Sequence, residues 1–287
     1  MRLWLCGVRG STAAVGPEFS GVGGHTSCVA IGDDEGPPRL IIDAGTGVRE
    51  IAGLLDGAAF RGTILLSHLH WDHTQGLPFF AAGDRPDAVV TLYLPAQGTP
   101  ALELLWRVLS PPHFPITPRD LRGRWSFHDL ETGTHPFEGF EVLARAIPHK
   151  GGRTFGYRVS DGRHTVAYLS DHAPQQLGPG SDGLGVLHDE AMELARGADV
   201  LIHDAQYCAR ELASRGSFGH AAYEYAVELA CAAGVTRLLL FHHDPARTDA
   251  EVEAFLRDAR RRVGQCGRSG RSGLTVEIAR QGTVLRL

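Results

Sequence analysis

The chain has 287 residues, 43% of them hydrophobic and 21% charged, which is enough apolar material for a sizeable core and excludes long-range disorder. Its 28 Lys+Arg against 33 Asp+Glu give a net charge of -5, which argues against a surface built to coat nucleic acid. The length is within reach of one large α/β unit, so residues 1–287 are read as a single domain.

In chain order, the first half reads as strands between Gly-rich turns: Arg2 to Val8, Ser27 to Ile31, Arg39 to Ile42, Thr63 to Ser67 and Val89 to Leu94. The apolar start, Leu3 to Cys6, is too short for a signal-peptide core and belongs to the first strand. Thr46 to Leu55 and Thr99 to Leu109 carry apolar residues at helical spacing. The second half begins again with strands at Phe140 to Ala146, Thr154 to Val159 and Thr165 to Leu169. It then turns helical at His220 to Ala233, stopped by Gly234, with a strand at Arg237 to Phe241 and an amphipathic helix at Asp249 to Val263. Gly178 to Gly185 and Gly267 to Gly273 are short enough to be loops rather than linkers. Two runs of strands each followed by helices suggest two sheets packed face to face with helices outside, a four-layer αββα sandwich of the α/β class. No apolar run approaches the ~20 residues of a membrane helix. Five cysteines, an odd number without a C-x-x-C pair, point to a reducing compartment, the cytoplasm.

Fifteen histidines are available, and imidazole is the commonest ligand for transition metals. The densest cluster is Ser67-His68-Leu69-His70-Trp71-Asp72-His73, directly after the apolar Ile64 to Leu66. In an extended strand end, residues two apart point the same way, so His68 and His70 can approach one ion; a turn into a helix at Asp72 would bring Asp72 and His73 to a second. Further candidates also follow strands: His149 after Val142 to Ile147, Asp171 after Thr165 to Ser170, and His242 or its neighbour His243 after Arg237 to Phe241. Asp171, having two oxygens, could bridge two cations. His113, His128, His135, His164 and His188 lie in Pro-rich or polar stretches and are expected at the surface.

The His-x-His-x-Asp-His motif at His68 to His73 resembles the signature of the metallo-β-lactamase-fold hydrolases, a resemblance that extends over nearly the whole chain. Gly219-His220 with its following helix, the Leu238 to His242 strand and Leu201-Ile202-His203-Asp204-Ala205 are similar to the ribonuclease Z and cyclic-phosphodiesterase branch. The resemblance implies the αββα fold, one metal on His68, His70 and His149, a second on Asp72, His73 and His242, and Asp171 between them. It places His220 as a catalytic histidine, with Asp72 also in the catalytic set. Ribonuclease Z carries a long basic arm between its third histidine ligand and bridging aspartate, whereas His149 and Asp171 stand only 22 positions apart.

The expectation is therefore a metal-dependent hydrolase with two divalent ions, zinc first and manganese or iron as alternatives, generating hydroxide from water and cleaving a small or cyclic nucleotide-like phosphodiester. Lys150 and Arg153, flanking Gly151-Gly152, are candidates for holding the substrate phosphate; His172, His203 and Asp204 are candidates for orienting the imidazole ligands. A nucleic-acid polymer and a membrane are not expected partners, and a homodimer is compatible with the sequence. The alternatives are a lactone, thioester or β-lactam hydrolase and a ribonuclease Z-like RNA endonuclease.

Overall fold

Strand sequences here run apolar on both faces, the pattern of sheets covered on each side. In β1 (Arg2–Gly7), Leu3 and Leu5 face one core while Trp4 and Cys6 face another, and all four are buried. The computed structural model describes residues 1–266 and 273–287, so the loop expected at Gly267 to Gly273 lies, except for its last residue, outside the described residues. Beyond β1 the first half contains β2 (Cys28–Gly32), β3 (Leu40–Ile42), α1 (Ile51–Leu54), β4 (Arg61–Leu65), the single turn α2 (Trp71–Thr74), β5 (Val89–Pro95), α3 (Ala101–Trp106) and β6 (Arg124–Leu130). The second contains β7 (Gly133–Phe137), β8 (Phe140–Ile147), β9 (Thr154–Ser160), β10 (Thr165–Leu169), α4 (Asp189–Ala195), β11 (Val200–Asp204), α5 (Ala209–Arg215), α6 (Tyr223–Ala233), β12 (Arg237–Phe241), α7 (Asp249–Cys266), β13 (Thr275–Ile278) and β14 (Val284–Arg286).

Among the described residues the strands form two seven-stranded sheets, ordered β14-β1-β2-β3-β4-β5-β6 and β13-β12-β11-β10-β9-β8-β7. Each is mixed: β3 to β6 run parallel in the first and β10 to β13 in the second, while the remaining pairs are antiparallel. One core fills the space between the sheets, where Leu3, Ile31 and Leu65 meet Val142, Tyr157 and Tyr168, and it continues under α4, α6 and α7. A second core lies outside the first sheet, where Ile41, Ile64 and Leu92 pack against Val48, Ile51, Phe80 and Leu105. The layers are thus αββα, as expected from the sequence. Among the described residues no helix is long and apolar enough to cross a membrane.

Three departures from the sequence reading matter for the site. β6, β7, β11, β13 and β14 are not anticipated as strands in the sequence, nor α4 and α5 as helices. The helix expected from His220 begins only at Tyr223, because Gly219 sits in the left-handed region and the chain stays extended to Ala222. His220 therefore stands on a loop, outside the helix. The helix expected over Thr46 to Leu55 is a tight 3-10 turn followed by the single turn α1.

Candidate metal centre

The carboxyl ends of the parallel strands open on one edge of the sandwich, where ligands bind in α/β sheets. β4 delivers His68 and then His70, and α2 adds Asp72 and His73 from its only turn. β8 delivers His149, β10 Asp171, and β12 His242. The seven side chains, spread over 175 positions of sequence, converge in two groups: His68, His70, His149 and Asp171, and Asp72, His73, Asp171 and His242.

Asp171 divides its two oxygens between the groups. Oδ2 stands 3.7 Å from His68 Nε2 and 3.4 Å from His149 Nε2, and Oδ1 stands 3.0 Å from His73 Nε2 and 3.1 Å from His242 Nε2. His70 Nδ1 lies 3.2 Å from His149 Nε2, and Asp72 Oδ2 lies 3.4 Å from His73 Nε2 and 3.1 Å from His242 Nε2. Four ligands at ~2.1 Å around a tetrahedral ion are about 3.4 Å from one another. The spacing of these atoms is that of tetrahedral edges.

The opposite nitrogens are tied down, which decides what faces inward. His149 Nδ1–H donates to the Gly219 carbonyl at 2.6 Å, and His73 Nδ1–H donates to Asp43 Oδ2 at 2.7 Å. Ser67 Oγ–H also donates to Asp43 and leaves its oxygen to accept from His68 Nδ1 at 3.0 Å. Each of these rings turns an Nε2 lone pair to the centre. Asp43 further accepts from Tyr168 Oη and the Ser67 amide, yet was not singled out from the sequence; its only local mark is its place after β3. His243 faces away, its Nε2–H on the Ala279 carbonyl, so His242 alone of the pair reaches the cluster. Ser11, Asp43 and His242 all adopt positive φ, at 63°, 63° and 58°, strained for non-glycine residues and concentrated where they touch the cluster. The Ser11 amide donates to Asp72 Oδ2 at 2.6 Å, and Gly10 is required beside it because a Cβ there would lie 2.4 Å from the His242 ring.

The donor set fits divalent cations. His68 Nε2 and His73 Nε2 are fully buried and have no hydrogen-bond partner, an arrangement costly for polar atoms unless something else binds them. Burial pushes the His68 and His70 imidazoles below their ordinary range and His149 down to about 4, so all three are neutral and ready to ligate. Burial acts the same way on His73 and His242, but it is outweighed by Asp72, Asp43 and Asp171 around His73 and by Asp171 and Asp72 around His242, and both rings are pushed up. Burial raises Asp171, and the surrounding His242, His73, His68 and His149 overturn it, holding the carboxyl well below its usual range.

At the rim, His220 Nδ1–H donates to Asp204 Oδ2 at 2.9 Å, and its ring stacks on His242 with centroids 5.0 Å apart. Asp204 ends β11 and is fixed in turn by the amides of Gln206 and His172. A cavity of about 370 Å³ opens here, lined by Ser11, Leu69, His70, Trp71, Asp72, Asp171 and His220.

Residues 38–243 match the beta-lactamase superfamily domain. The chain belongs to the metallo-β-lactamase superfamily. It is 30% identical to ribonuclease Z of Exiguobacterium sibiricum over 239 residues, 68% of this chain and 76% of that one. It is 28% identical to ribonuclease BN of Escherichia coli, covering 69% and 75% of the two. In fold it is similar to the metallo-beta-lactamase fold protein YhfI from Bacillus subtilis (18% identity, TM-score 0.69, 99% of each chain). It is similar also to a diphosphatase from the PhnP family (19%, 0.68, 100% and 97%) and to the short form of human tRNase Z (18%, 0.66, 100% and 99%). As a member of this superfamily the chain is a metal-dependent hydrolase.

Against this metallo-β-lactamase frame, some sequence expectations need correction. The Arg153 guanidinium is paired with Glu131 at 2.7 Å and lies over the Phe155 ring. Lys150 is exposed, with its stem beside Gly219. His172 and His203 do not orient ligand imidazoles; their rings bond each other at 3.0 Å, and His203 Nδ1–H donates to the Asp204 carbonyl. Asp204 does orient an imidazole, that of His220. His113 and His128 are exposed and His135, His164 and His188 half-buried, all outside the cluster.

Proposed function

We propose that this chain hydrolyses small or cyclic nucleotide-like phosphodiesters at a dinuclear centre. His68, His70 and His149 would hold one divalent ion, Asp72, His73 and His242 the other, and Asp171 would span both. Zinc suits this imidazole and carboxylate set, with manganese or iron as alternatives. The observation that carries the reading is the division of Asp171, whose two oxygens each face a separate set of inward-turned imidazoles. When bound, the two ions supply Lewis acidity for a phosphoryl oxygen and a nucleophile drawn from water.

The protein side chains do the remaining work. Asp72, on the cavity wall, is placed to take a proton as the nucleophile attacks. His220, held through Nδ1–H by Asp204, presents Nε2 to the cavity and gives a proton to the leaving alkoxide; the carboxylate stabilises the cationic ring before transfer. Lys150 contributes a cation for the diester. A cytoplasmic setting belongs to the same reading, since buried Cys6, Cys28 and Cys208 form no disulfide.

A ribonuclease reading is the second, favoured by the relatives named ribonuclease Z and ribonuclease BN, which weaken the sequence-based exclusion of nucleic acid. Supporting the small substrate, the chain between His149 and Asp171 is taken up by β9 and β10 and has no room for an arm. The test is turnover of bis(p-nitrophenyl) phosphate, cyclic nucleotides, a transfer-RNA precursor, a lactone and nitrocefin, with zinc and with manganese. Phosphodiester turnover should depend only weakly on salt. A steep fall with salt on the RNA precursor would favour the ribonuclease reading, because many phosphates would then be neutralised. Activity confined to the lactone or nitrocefin would overturn both.

A further inference from the structure

A second cavity of about 1100 Å³ lies on the other side of α2 from the metal cluster. Trp71 lines both this cleft and the smaller metal-side cavity, and it is 73% exposed although it stands between His70 and Asp72. Leu77, Leu105 and Leu109 form much of the apolar lining. Phe79 and Phe114 meet edge to face with centroids 5.9 Å apart, and Phe79 is 58% exposed. Leaving large aromatic rings in water at one face is unusual unless something covers them.

The cleft, at about 1100 Å³ against about 370 Å³ for the metal-side cavity, has room for a ring system, and Trp71 lines both. Thr46, Arg49 and Gln75 add polar groups to the lining, which suits a flat ring with hydrogen-bonding edges better than an alkyl chain. We propose that this cleft is the specificity site for the substrate, seating a planar aromatic group of the nucleobase kind against Trp71, Phe79 and Phe114 while the phosphoester reaches across Trp71 to the metal cluster. The proposal rests on the phosphodiesterase reading and names its substrate class.

The test is calorimetric binding of adenosine 5′-monophosphate and of ribose 5-phosphate to the zinc-loaded protein, since the two share sugar and phosphate and differ in the base. The base should tighten binding by about tenfold or more, the scale of an aromatic ring stacked out of water. Phe79→Ala and Phe114→Ala should each bring the affinity ratio close to one; Phe79 is exposed enough that its truncation leaves the fold intact. Equal affinities in the unaltered protein, or a ratio kept in both variants, would overturn the cleft assignment while leaving phosphoester binding standing. A ratio near one together with an oligomer that Phe79→Ala dissociates would assign the cleft to a second copy and also overturn it. Failure of both compounds to bind would overturn the cleft assignment, while the phosphodiester reading stands or falls separately on turnover of bis(p-nitrophenyl) phosphate.

Discussion

Three of the seven ligand candidates are aimed by a partner on the far side of the ring: Asp43 for His73, Gly219 for His149 and Ser67 for His68. His220 is aimed likewise by Asp204, but at the cavity. His220→Ala should therefore keep the metals and lower kcat by roughly 10²–10⁴-fold, the range for a positioned proton donor. Asp204→Asn, which leaves the imidazole in place but loosens it, should cost about 10–100-fold. Steady-state kinetics with metal analysis of the same samples checks both, and full turnover in His220→Ala would remove it from the chemistry. The pairing of Arg153 with Glu131 separates the two basic residues by the glycine pair: Lys150→Ala should raise KM for a phosphodiester with little change in kcat, while Arg153→Ala should leave KM within about twofold. At this scale the contiguous His68 to His73 run was legible because its ligands lie within six positions. Asp43 was not, because a lone aspartate after a strand carries no local pattern, and its four hydrogen bonds come from residues distant in sequence or fixed only by folding.

The elements that position the site are the parallel strands β4, β10 and β12 and the antiparallel β8, most of them readable as apolar runs. Val142 to Ile147, Thr165 to Leu169 and Arg237 to Phe241 were recognisable in this way. β6 and β7 were not, since exposed or half-buried positions and Pro136 interrupt their apolar character at a sheet edge. The late start of α6 was also hidden, because only the left-handed Gly219 and the extended Ala222 show where the loop ends. β11 lies between β10 and β12, with Ile202 opposite Tyr168 and Leu239 and no exposure to solvent. Ile202→Ala should lower unfolding free energy by about 2–5 kcal/mol through lost burial and the cavity left behind. Equilibrium denaturation measures this directly, and a loss under about 1 kcal/mol would mean that the strand is less tightly packed than its burial indicates.

Over the whole molecule, two mixed sheets present the carboxyl ends of their parallel portions at one edge, so residues from both halves complete a single cluster. The layer order was readable from the alternation of strands and helices, and the convergence of His149, Asp171 and His242 from the residues that follow each strand. The pairing of strands was not, because parallel neighbours such as β10, β11 and β12 are joined by long excursions and no local turn sets their register. At the centre, Asp43, Asp72 and Asp171 bring three carboxylates among five imidazoles between the sheets, an arrangement that calls for bound cationic charge. The most direct measurement is the zinc content per chain, by plasma mass spectrometry after removal of loosely held metal, of the unaltered protein and of Asp171→Asn. Two ions in the former and fewer than one in the latter are expected, because the substitution removes the anion that faces both sets of imidazoles. One ion or none in the unaltered protein, or two retained in Asp171→Asn, would contradict a shared dinuclear centre.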